Sequence, residues 1–193
     1  MPEVLSTFRL QHGNQAPDFA LPDATGRMVS RKEVAGPNGL LIIFACNHCP
    51  FVVHLATALG KFAREIAASG VNTVAINPND AERYPDDAPE NMAAFAASHQ
   101  WDFPYLVDAS QEVAQAYGAA CTPDFYLTDA EGRITYMGQF DATRPRSGTM
   151  PHGGDLREAV RRMLAGEPPM PRPYPSSGCS IKWKPGKQPD WWT

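Results

Sequence analysis

Four cysteines in 193 residues are too few for a disulfide scaffold. No apolar run approaches the roughly 20 residues of a membrane-spanning helix. The first residues, Met1-Pro2-Glu3-Val4-Leu5-Ser6-Thr7-Phe8, have no basic stretch followed by an apolar core and so do not form a secretory signal. We expect a cytoplasmic chain with no membrane partner. A net charge of −4 without a long run of one sign gives no reason to expect nucleic acid as a partner. The five histidines are scattered, and there is no internal repeat. In a reducing compartment, a close pair of cysteines is more apt to be catalytic or metal-binding than structural.

What the chain does have is one such pair. Cys46-Asn47-His48-Cys49-Pro50-Phe51 follows the unbroken apolar run Leu40–Ala45, which suits a central strand buried on both faces. After it, Val52, Leu55, Ala56, Leu59, Phe62, Ala63 and Ile66 recur at helical spacing, up to Gly70. The spacing places Cys46 and Cys49 on the first turn of that helix, facing unpaired N–H groups and the positive end of the helix dipole. Both favour thiolate, the nucleophilic form. Sulfurs three residues apart there can close a disulfide, and a protonated His48 adds a cation beside Cys49. A zinc clip is the duller alternative. It needs four ligands, and the sequence offers no second Cys-x-x-Cys or histidine pair, so no metal is expected.

With 43% apolar and 20% charged residues, the rest reads as a single domain. Residues 1–27 read as an irregular lead-in, apart from a short strand at 28–30 that follows it. Val71–Ile76 is a second parallel strand and Phe103–Val107 a third. Asp108 and Gln111 suggest a capping box for a helix over 109–117. Asp124–Thr128 and Arg133–Met137 form a hairpin around Asp129-Ala130-Glu131-Gly132. A last helix opens at Asp155. From Glu167 onward, seven prolines in 27 residues argue against regular structure. Ile181, Trp183, Trp191 and Trp192 nonetheless argue that this tail lies on the body, anchored by Cys179 and Trp183. The expected division is a domain over 1–166 and a packed, Pro-rich tail over 167–193.

This order of elements, with Cys-x-x-Cys at the head of the first long helix, resembles the thioredoxin fold. The segment Gly13-Asn14-Gln15-Ala16-Pro17-Asp18-Phe19 is similar to the opening of the peroxiredoxin and alkyl-hydroperoxide-reductase branch. With Thr122-Pro123-Asp124-Phe125 and Gly178-Cys179-Ser180-Ile181-Lys182-Trp183-Lys184, the chain resembles a peroxiredoxin-like (redoxin, thiol-specific antioxidant) group. The resemblance implies an α/β fold: a thioredoxin-like three-layer α/β/α sandwich with a mixed central sheet. It implies Cys46 as attacking and Cys49 as resolving thiol, without a cofactor, acting on protein or small-molecule disulfides and thiols. It also implies a cis Thr122–Pro123 bond facing them, with Thr122 offering main-chain groups to an extended substrate. Cys121 and Cys179 then become accessory thiols that pair with one another, or else small buried residues. His48 before the second cysteine resembles the strongly oxidising bacterial members of the fold. Two departures stand out. Cys46 occupies the place of the Thr or Ser that peroxiredoxins set three residues before their peroxidatic cysteine, and the strand before Cys46 carries no buried acid. The sequence does not fix the oligomeric state.

Overall fold

The computed structural model describes residues 3–192. Its central sheet has five strands: β4 (Gly39–Phe44), β5 (Val71–Asn77), β6 (Tyr105–Val107), β8 (Asp124–Thr128) and β9 (Ile134–Gly138). They run in the order β6-β5-β4-β8-β9, the first three parallel and the last two antiparallel. The two-residue pleat divides β4 between two cores. Leu41 and Ile43 face helices α2 (Pro50–Ala67), α3 (Pro89–Ser98) and α5 (Gly154–Leu164). Leu40, Ile42 and Phe44 face the short helices α1 (Arg31–Val34) and α4 (Glu112–Tyr117) and the tail. This is a three-layer α/β/α sandwich of thioredoxin-like form with a mixed sheet.

Several local expectations are corrected. The lead-in is not wholly irregular: β1 (Glu3–Leu5) and β2 (Ala20–Pro22) lie within it, and β2 pairs with β3 (Met28–Ser30). The Pro-rich tail contains a strand, β10 (Ser177–Ser180), set between β1 and β7 (Cys121–Thr122) in a separate three-stranded sheet. A strand with neighbours on both edges satisfies its main-chain polar groups in spite of the flanking prolines. Helix α2 stops at Ala67, and Gly70 takes its left-handed conformation (φ +76°) only after one further turn. Helix α4 starts three residues later than expected, because Gln111 is left-handed and its side chain donates instead to Pro78 O and Lys182 O. Asp108 caps the helix from further back, accepting from Ala114 N at 2.8 Å. At α5 the N-cap residue is Gly153, without a side-chain cap; Asp141 accepts from His152 N and Gly153 N just ahead of the helix, and Asp155 lies inside the first turn.

The tail is pressed closely against the body. Trp183 and Ile181 are buried in the same core as Tyr117, and Trp191 and Trp192 pack edge-on to Trp183. A Cβ added to Gly178 would lie 2.0 Å from Thr122 O, a main-chain atom that has no room to retreat. Gly178→Ala should therefore cost about 1–3 kcal/mol by overpacking and loosen β10 selectively. A fall in Tm with faster proteolysis after residue 166 checks this, and an unchanged Tm would contradict it.

Candidate active site

Only part of the Cys-x-x-Cys stretch is helical. Cys46 lies in the loop after β4, and Cys49 is the N-cap residue of α2, with Pro50 at the first helical position. Cys49 is extended (φ −71°, ψ 122°), which is what a residue before proline prefers, so the proline begins the helix without straining it. The expectation that both cysteines share one helical turn is thus corrected.

The sulfurs converge on Thr122 instead. Cys46 Sγ lies 3.3 Å from Thr122 Oγ1, and Cys49 Sγ lies 3.0 Å from Thr122 O. The Thr122–Pro123 peptide is cis. Cys179 stands opposite Thr122 in the β7–β10 register and is buried in the same cluster as Cys46 and Cys49. Cys121 stands opposite Ser180, so the pleat turns its side chain away from Cys179, and its thiol points at Pro123 O, 3.6 Å off. A Cys121–Cys179 pair is therefore not what the strand register forms. All four cysteines are buried free thiols.

Burial makes the charge distribution unequal. Cys46 and Cys49 are 1% and 0% exposed, so a thiolate on either loses its hydration, and two adjacent thiolates repel. Donors converge on Cys49: the Cys179 thiol first, then the Cys46 thiol, with Val52 N–H and Cys179 N–H behind them. These hold the Cys49 thiol far below its ordinary range. Cys46 is pushed well up, first by its hydrogen bond to Cys49, then by burial and the Asp87 carboxylate. Of the two sulfurs, Cys49 is therefore the one whose surroundings favour the thiolate. An easily ionised Cys46, as expected from the sequence, is corrected.

His48 is held by Asp87, a residue the sequence did not single out. Nδ1 lies 2.9 Å from Asp87 Oδ2, an ion-pair contact poorly aligned as a hydrogen bond, and the ring stacks on Tyr84 with centroids 5.9 Å apart. The contact raises the pKa of His48, chiefly through Asp87. The same carboxylate accepts from Asn47 N at 2.8 Å and Asn79 Nδ2 at 2.7 Å, and Tyr105 Oη donates to Asn47 Oδ1 at 3.0 Å. When His48 is protonated, Asp87 pairs its charge. Donor atoms of Cys46, His48 and Asp87 lie within 4.8 Å of one another, a set of three with Asp87 already engaged by amides.

A second acid, Asp124, begins β8 directly after Pro123 and is fully enclosed. Burial raises its carboxyl to about 7, against hydrogen bonds from Ser176, Tyr126 and main-chain N–H groups that oppose the rise. The chain does therefore bury an acid, next to Pro123 and on a different strand from the one searched in the sequence. Its only visible signal was a carboxylate heading the otherwise apolar strand Phe125-Tyr126-Leu127. A cavity of about 500 Å³ between α2 and the β2–β3 hairpin includes none of these residues.

A mixed sheet with a dithiol before its first long helix, set against a Thr–Pro bond that heads an antiparallel strand, defines a thioredoxin-like redox protein. Within that class, the AhpC/TSA family model matches residues 12–137, and the chain belongs to that family. The structure is similar to that of a conserved protein from Geobacillus kaustophilus of unassigned function (46% identity, TM-score 0.91, covering 96% of this chain and 98% of that one). In sequence it is similar to a Mycobacterium tuberculosis protein that carries a provisional peroxiredoxin name (30% identity over 131 residues, 68% of this chain and 78% of that protein). It is also similar to the thiol-disulfide oxidoreductase ResA of Halalkalibacterium halodurans (27% identity over 122 residues, 63% and 65%). Relatives of both chemistries thus surround it.

Two outcomes test these electrostatics. Removing Cys49 as Cys49→Ala deletes the leading cause of the raised Cys46 pKa, so thiolate absorbance near 240 nm should titrate Cys46 at lower pH than in the variant's parent. A rise would contradict the shared-charge arrangement. For Asp124, the folded pKa near 7 exceeds the unfolded value of 3.8, so the folded state holds the extra proton between them. Stability should then fall as pH rises from about 4 to 7, by an upper limit of about 4 kcal/mol. Asp124→Asn should flatten that slope in denaturant titrations at several pH values.

Proposed function

We propose that the chain is a thiol–disulfide oxidoreductase in which Cys46 and Cys49 cycle between dithiol and disulfide. The observation that carries this reading is the convergence of both sulfurs on Thr122, at 3.3 Å from its hydroxyl and 3.0 Å from its carbonyl oxygen. Cys46 sits on the loop beside the half-buried Asn47 and His48, and in this reading it is the thiol that meets the substrate. Its proton passes to the Cys49 thiolate, which leaves the Cys46 thiolate to attack a substrate disulfide and expel one substrate thiolate. Cys49, protonated in that step, then gives its proton to the expelled substrate thiolate and attacks the Cys46 sulfur of the mixed disulfide. This releases the second substrate thiol and leaves a Cys46–Cys49 disulfide. Two electrons have then passed to the substrate, and an external thiol returns them. No resident cofactor takes part. Protein or small-molecule disulfides in the cytoplasm are the partners this reading gives it, and His48 is a positioning residue tied to Asp87.

A second reading, thiol-dependent peroxide reduction, is supported by the surroundings of Cys49, which lower its pKa at the position that matches the peroxidatic cysteine in the resemblance. Against it, Cys46 stands where a hydroxyl would orient the peroxide.

Insulin reduction by dithiothreitol separates the two. The wild-type protein should accelerate it, and both Cys46→Ser and Cys49→Ser should return it to the uncatalysed rate. A wild-type rate equal to background would sink the first reading. Hydrogen peroxide consumption that survives Cys46→Ser but not Cys49→Ser would establish the second.

A further inference from the structure

We infer that β10 is an internal substrate strand, and that Cys179 is a third redox thiol exchanging with Cys49. The inference rests on the reading of Cys46 and Cys49 as the redox pair and extends it to the tail. In the thioredoxin-like arrangement, the main chain before the cis proline is the edge where an extended substrate adds as a strand. Here that edge is taken. Residues Cys179 and Ser180 pair antiparallel with Thr122 and Cys121, and β1 closes the other side of β10. This corrects the expectation that Thr122 stands open to a substrate.

The fit is close and directional. Gly178 packs so tightly that no Cβ fits between it and Thr122 O, and that same oxygen lies 3.0 Å from Cys49 Sγ. The register then brings Cys179 to the face of β7 from which Thr122 meets both sulfurs, while Cys121 is turned to the other face. Cys179 is buried in the same cluster as Cys46 and Cys49. It therefore sits where the cysteine of a bound substrate strand would sit.

The chemistry balances within the chain. Starting from the Cys46–Cys49 disulfide, the Cys179 thiol loses its proton and attacks Cys49 Sγ. The Cys49–Cys179 bond forms, the Cys46–Cys49 bond breaks, and Cys46 leaves as a thiolate that takes up the proton. Nothing is oxidised or reduced overall. The products are a tail strand tied covalently to the start of α2 and a free Cys46. With Cys49 engaged, a mixed disulfide made by Cys46 is not resolved at once, which gives a thiol of the substrate time to attack it. That is the requirement for disulfide isomerisation as opposed to net electron transfer.

The test uses the full chain, oxidised with glutathione disulfide, quenched in acid, unfolded, alkylated with N-ethylmaleimide and mapped by peptide mass spectrometry. In the wild type we expect both the Cys46–Cys49 and the Cys49–Cys179 linkages, with Cys46 alkylated in about one molecule in ten or more, an exchange constant no smaller than about 0.1. Cys46→Ser should yield the Cys49–Cys179 linkage with Cys121 alkylated, and Cys179→Ala should abolish Cys46 alkylation in the oxidised protein. A wild type holding Cys46–Cys49 with Cys179 fully alkylated overturns the exchange and leaves the oxidoreductase reading standing. A wild type that forms no Cys46–Cys49 linkage overturns both. The wild-type map decides the matter even if a variant fails to fold.

Discussion

Thr122 is the residue on which the rest of the site depends. Its hydroxyl meets Cys46, its carbonyl oxygen meets Cys49, and its main chain is paired with Cys179. Each of these partners comes from a different part of the chain: a loop after β4, the cap of α2, and a tail strand more than 50 residues beyond. Such long-range closure is costly in chain entropy, and it holds only because the elements carrying it are set by large buried surfaces. Leu41 and Ile43 on one face of β4, and Leu40, Ile42 and Phe44 on the other, provide that foundation. The antiparallel register of β4 with β8, Phe44 against Asp124, then fixes where Thr122 must stand.

The electrostatics follow from enclosure as much as from helix position. A thiol at an exposed helix start is acidified by N–H groups while water solvates the charge. Here the water is gone, so what decides is the number of donors aimed at each sulfur. Cys49 has donors from two thiols and two main-chain N–H groups, whereas Cys46 faces a neighbouring thiolate and the Asp87 carboxylate. The His48–Asp87 pair belongs to the same pattern. A histidine whose charge is matched at 2.9 Å stabilises the loop more than it stabilises a thiolate.

Much of this fold was legible because its signals are local. An unbroken apolar run, a 3.6-residue stripe and a hairpin turn are properties of contiguous residues, and the central strands and α2 follow from them. The tail was half legible. Its tryptophans announced packing, but seven prolines outweighed the four residues Ser177–Ser180, whose extended pairing is imposed from outside by β1 and β7. Asp87 was not legible at all. It lies in a Pro-flanked polar loop, and its importance comes from Asn47, His48 and Asn79, contacts that only the folded chain creates. The ionisation of Cys46 was misjudged for a related reason, since spacing gives proximity to a helix end but says nothing about burial.

A dithiol sealed to this degree ties reactivity to local opening. Neither sulfur is reachable in the closed structure, so a disulfide substrate gains entry only when something over the site moves. Two elements are positioned to do so: the polar loop carrying Asp87, which is held by side-chain amides, and β10, which is held by short ladders on both edges. Release of β10 would uncover Thr122 and remove a donor from Cys49 in one motion. The two effects oppose each other: opening exposes the sulfurs but also takes away part of what keeps the Cys49 thiolate stable.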